Sequence, residues 1–140
     1  MLHRLSWGVF VVIGGLGVLA SLGPLLAPTD LAAFRLMGQD PSPLEAAAAQ
    51  PFTTFLGRWI GTSMVAGNLF TVGIALTALR RGERWAACLM LYWPAMFLTH
   101  FVMYGPGPMR QLQVFWFVLS SVSVAHLLFQ RPPNVAGARA

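Results

Sequence analysis

The chain has 140 residues, 56% of them hydrophobic and only 9% charged, with a formal charge of +5 and a mean hydropathy of +0.66. A soluble domain of this size carries about 25% charged residues, so the composition argues against a water-soluble globule and for one small membrane domain. The positive charge is all arginine, set singly or at segment ends with no basic face. That excludes a nucleic-acid surface and leaves the arginines as topology signals and headgroup anchors. The single Cys88 excludes an intrachain disulfide, a CxxC redox pair and a cysteine-rich metal site. Arginine and alanine in the absence of lysine point to a bacterial, GC-rich source.

In chain order, His3 and Arg4 precede an apolar run from Leu5 to Leu26. A cleaved signal peptide ending near Val18-Leu19-Ala20 is the competing reading, but the run is longer than a signal core and is taken as a retained helix over about 5–26. Gly14, Gly15 and Gly17 admit a close neighbour, and Gly23-Pro24 with Pro28 ends the helix. Residues 28–53 form the polar connection. One short helix is expected from Thr29 or Asp30 to Met37. A second follows Ser42-Pro43-Leu44-Glu45, a capping box with proline at the first helical position.

The second spanning helix is expected over 54–79, capped by Thr53 or Thr54. At 100° per residue, Gly57, Gly61, Met64, Asn68, Thr71 and Ala75 share one stripe. That stripe is the expected packing face, and Asn68 with Ser120 is the expected polar pair between helices. A third helix over 84–103 presents Trp85, Leu89, Trp93, Met96, His100 and Met103, with a kink at Pro94. Tyr104-Gly105-Pro106-Gly107-Pro108 makes a rigid turn, and a fourth helix runs over 110–129. Residues 132–140 have the composition of a disordered tail. The expected fold is thus all-α: a four-helix integral membrane bundle over residues 1–131, with a short-helix outer loop between helices 1 and 2.

The chain is organised around the basic turn Leu79-Arg80-Arg81-Gly82-Glu83-Arg84-Trp85 between two runs of spanning length. With both termini inside, the inner side holds Arg4, Arg80, Arg81, Arg84, Arg131 and Arg139 against Arg35, Arg58 and Arg110 outside. The bias places both termini in the cytoplasm of a bacterial inner membrane.

Polar groups at membrane depth are costly and are the first functional candidates. Arg58, His100, Gln111 and Gln113 fall at one depth near the outer boundary, with Asp40 and Glu45 in the adjoining loop. Together they define a candidate outward pocket for an anionic or quinone-like headgroup. The simpler alternative is an Arg58 that snorkels to lipid phosphates. His100 also admits a haem or chlorin pigment, but His126 lies near the opposite face and cannot supply the second axial ligand within one chain. His126, Ser123 and Glu83 form a weaker candidate for handling protons. No nucleophile–base pair, phosphate loop, paired carboxylates or metal-ligand cluster is present in the sequence, which disfavours an enzyme acting alone.

The turn Leu79-Arg80-Arg81-Gly82-Glu83-Arg84-Trp85-Ala86, with a Gly-rich helix before it and an aromatic one after it, resembles the DoxX-like class of small bacterial membrane proteins over roughly residues 55–129. The resemblance implies a four-helix membrane bundle, and some members of that class are linked to quinone-coupled electron transfer. The expected function is an accessory or structural subunit of a larger respiratory or photosynthetic membrane complex, in contact with lipids and other membrane subunits. The competing class is a quinone- or lipophile-binding protein. A transporter, the third, would have to oligomerise at this size.

Overall fold

The computed structural model describes residues 2–27, 35, 40–42 and 51–129. Among the described residues the chain is all-helical: α1 Leu2–Leu26, α2 Pro51–Ile74 continuing as a π-helical segment Ala75–Leu79, α3 Arg84–Leu89, α4 Tyr92–Met103 and α5 Pro108–Phe129. These make four stretches of 25, 29, 20 and 22 residues that are long and apolar enough to cross a membrane. The two expected short helices fall almost wholly outside the described residues, as does the 132–140 tail. Within the connection, Ser42 donates its backbone N–H and its hydroxyl to Asp40 Oδ1, at 3.0 and 2.6 Å. These bonds, the hydroxyl's first, hold the Asp40 carboxyl below its ordinary range.

Several boundaries differ from expectation for local reasons. α1 starts at Leu2, ahead of residue 5. α2 is helical from Pro51 onward among the described residues, so Thr53 and Thr54 lie within it and do not cap it. A proline tolerates an early helical position because its missing N–H would have no intrahelical partner there. The same reasoning moves the start of α5 from Arg110 to Pro108. The third span is two helices. Pro94 has no N–H to return to Met90, and the backbone tightens one turn ahead of it, through Leu91 N–H to Cys88 O and Trp93 N–H to Met90 O.

The order of packing is also different. α1 lies in the middle, against α2 along its length and against α5, while α4 packs on α5. The second and third spans, expected to fold back on each other, meet where α3 touches the π-helical segment. Glycine placement decides this. A Cβ on Gly61 would lie 2.6 Å from the Leu25 backbone nitrogen, one on Gly14 2.9 Å from the Asn68 carbonyl oxygen, and one on Gly17 2.0 Å from Asn68 Oδ1. Each glycine lets a backbone or amide approach where a side chain would block it, as small residues do between membrane helices.

At the end carrying the basic turn the helices close on an apolar core. Phe10 and Ile13 of α1 meet Ile74, Ala75, Ala78 and Leu79, then Ala86, Ala87 and Met90 of α3, and Val124 and Leu127 of α5. Alanines bring α3 close. α3 buries Ala86 and Ala87 and leaves Trp85 and Leu89 exposed. The π segment is held by Arg80 N–H to Ala75 O at 3.2 Å and Glu83 N–H to Ala78 O at 3.0 Å. The chain then reverses at Gly82, whose φ of 79° is a left-handed conformation that a glycine adopts at no steric cost.

The close contacts predict a graded response. Gly61→Leu and Gly17→Leu should each lower stability by about 1–3 kcal/mol or more through overpacking. Gly15→Leu, which has nothing within 4 Å of its would-be Cβ, should be near neutral. Asn68→Leu should cost less, about 0.6 kcal/mol. Equilibrium unfolding in mixed micelles measures all four, and equal melting of the Gly61, Gly17 and Gly15 variants would contradict the packing.

Candidate functional site

The four residues expected to form the outer pocket stand on three helices. Arg58 is exposed on α2, where its carbonyl accepts the Thr62 hydroxyl at 2.8 Å. His100 is half-buried on α4 and stacked on Tyr104, ring centroids 5.2 Å apart. Gln111 is exposed and Gln113 is buried on α5. No hydrogen bond joins any two of the four among the described residues. α2, which carries Arg58, has α1 as its principal neighbour, and α4, which carries His100, has α5.

A smaller polar group stands at that end instead. Arg110, in the first turn of α5, places its guanidinium carbon 4.5 Å from the centroid of the Phe101 ring. Its Nε is buried without a hydrogen-bond partner, and so is Gln113 Oε1 one turn further along the same helix. Arg110 was counted in the sequence only for orientation. Its spacing of three from Gln113 places both on one helix face, a signal that was available.

In the middle of the helices, Asn68 is buried and donates from Nδ2 to Met64 O at 2.7 Å and to Ser21 Oγ at 3.3 Å. Ser21 in turn donates to Gly17 O at 2.6 Å. Met64 O accepts only, which fixes which end of the amide is nitrogen. Asn68 Oδ1 has no ordinary partner and lies where a Gly17 Cβ would be, so it faces the Gly17 Cα–H, a weak donor. The expected Asn68–Ser120 pair does not form: Ser120 donates to Trp116 O and Phe117 O of its own helix. Of the expected stripe on α2, Gly61, Asn68, Thr71 and Ala75 are buried, Gly57 is half-buried and Met64 is exposed.

At the opposite end, Glu83 pairs with Arg81 at 2.9 Å and accepts the Trp85 indole N–H. It is therefore committed to its own turn and does not join His126, whose Nε2 is buried without a partner. A cleft of about 510 Å³ opens nearby, lined by His3, Arg4, Trp7 and Arg80. Another, of about 420 Å³, lies between α4 and α5 beside the Pro94 bend and is walled by side chains such as Leu91, Leu98, Phe117 and Leu128. Among the described residues no three histidine, cysteine or acidic side chains converge as a metal site would require.

No protein-family model, no curated protein and no solved structure matches the chain. The described residues make an all-helical chain with four stretches of membrane-spanning length, polar groups at both ends and an amide at its centre.

Proposed function

We propose that the protein is an integral protein of a bacterial inner membrane, with both termini cytoplasmic, that acts by lateral association as an accessory subunit of a larger membrane complex. One observation carries this reading. α2 uses Gly61, Asn68, Thr71 and, in its π-helical continuation, Ala75 to pack inward, yet carries two small-residue steps on its other side, among the exposed Phe55, Trp59, Leu69 and Phe70. Thr62 and Ala66 are exposed there at a spacing of four, and Gly73 and Thr77 repeat the spacing. Gly73 has open space beyond its Cα, and the Thr62, Ser63 and Thr77 hydroxyls are already bonded to carbonyls of their own helix. Small-xxx-small steps of this kind let a neighbouring helix approach closely in a bilayer. A face meant only for lipid has no need of them. The resemblance to DoxX-like proteins supports the same bundle reading.

A second reading has its own support in Arg110 and Gln113. A buried donor and a buried acceptor, one turn apart and both unpartnered, suit a lipophile whose headgroup carries an oxygen acceptor and a hydroxyl, as a quinol does. This retains Gln113 from the expected pocket and replaces Arg58 with Arg110.

Two outcomes separate these readings. Ala66→Leu and Gly73→Leu should lower recovery of the complex from mild detergent about tenfold while leaving the melting of the isolated protein unchanged, since neither position packs inside the chain. Unchanged migration on native gels with both variants would end the association reading. For the second reading, an organic extract of the purified protein should hold quinone in near-equal proportion to protein. Arg110→Gln and Gln113→Leu should remove most of it, and equal content in wild type and variants would end that reading.

A further inference from the structure

The structure assigns a phosphate-ester site to the cleft at the basic end, and we propose it as a binding site distinct from the association face and from the Arg110–Gln113 pair. Two helices build it. His3 Nε2 lies 3.1 Å from the Arg80 carbonyl oxygen. That oxygen only accepts, so the ring nitrogen donates and clasps the start of α1 to the end of the π segment. The clasp brings Arg4 and Arg80 to one cleft, with the Trp7 ring as its wall.

The charge there is unbalanced. Of the acids among the described residues, Asp40 lies in the connection between α1 and α2, and Glu83 is held by Arg81 and Trp85. No hydrogen bond or ion pair is made by the guanidinium of Arg4 or Arg80 among the described residues, and the first turn of α1 contains no acid to offset its positive end. Two arginines lining one cleft without an acid among its lining residues favour an anion there. Their planar donor forks match phosphate oxygens. The cleft volume of about 510 Å³ lies within the ~300–1,000 Å³ of small-ligand clefts, large enough for more than an inorganic ion. A phosphate ester supplies the remaining bulk, and an interfacial tryptophan favours one that arrives at a bilayer surface. The chemistry is shared by an anionic phospholipid headgroup and a soluble phosphate monoester.

The test compares the intact protein in nanodiscs of phosphatidylcholine with and without phosphatidylglycerol, and in phosphatidylcholine nanodiscs with glycerol 3-phosphate. Native mass spectrometry counts what is retained on release. The wild type should keep phosphatidylglycerol in preference to phosphatidylcholine, and Arg4→Gln and Arg80→Gln should each lower its affinity about fivefold, near the contribution of one arginine at such a surface. Arg58→Gln, which removes the same charge at the other end, should leave it unchanged. Saturable binding of glycerol 3-phosphate with the same dependence on Arg4 and Arg80 would uphold the site with a soluble ligand as its source. Equal retention of both lipids by the wild type with no binding of glycerol 3-phosphate overturns the proposal, whatever the folding of the variants. An equal loss in Arg58→Gln overturns it as well, since net charge alone would then explain the retention.

Discussion

The placement of α1 depends on three glycines, Gly14, Gly17 and Gly61, and on the buried amide that rests on one of them. Asn68 sits in an apolar stretch where an unsatisfied polar group is costly, and it finds its partners by leaning on α1. One donor bond stays within α2 at Met64 O and another crosses to Ser21, while the carbonyl oxygen occupies the space left by the missing side chain of Gly17. The energy is small, about 0.6 kcal/mol for an average bond of this type. Its effect is on register. Once Asn68 is over Gly17, Gly14 faces Val72 in one direction and Gly61 faces Leu25 in the other. Two antiparallel helices are then fixed along their length, and the remaining face of α1 is free to receive α5.

That register gives the molecule two unlike ends. At the basic end, Phe10, Leu79 and Ala86 are almost fully buried and the helices are drawn together by alanines and by the His3–Arg80 clasp. Toward the other end the buried groups include Gly61 and the polar Gln113. The closed end holds the helices, and its unbalanced arginines suit it to a phosphate at the bilayer surface. The looser end offers unpartnered polar atoms. Between them, α2 carries two small-xxx-small steps on its outward side, which is why association is the function favoured for the whole.

Length and hydropathy show where the spans fall, and the basic turn around Gly82 is evident in the sequence; its left-handed φ is not. Nor is the choice of neighbour. In a span, every face is apolar enough for lipid, so periodicity does not say which face meets which helix. Met64 shares the angular stripe of Asn68 yet is exposed, because α1 crosses α2 at its glycines and passes Met64 by. Trp85 and Leu89 share one helical face with Trp93 by the same counting, yet α3 buries Ala86 and Ala87 and leaves those two exposed. Arg58 and His100 agree in depth alone, and depth carries no information about the order of helices. Gly14 and Gly17 were recognised as sites of close approach, though the residue that fills the gap, Asn68, was assigned to Ser120.

The central claim is that Asn68 rests on Gly17 and binds Ser21. The chain contains two asparagines, Asn68 and Asn134, so protein carrying ¹⁵N-asparagine and ¹³C-glycine gives a sparse amide spectrum in which the contact can be read directly. Nuclear Overhauser cross-peaks from the Asn68 side-chain amide to the Gly17 Hα protons, lost in Gly17→Ala, are the predicted result. Cross-peaks from that amide to Ser120 on α5, with none to α1, would contradict the account.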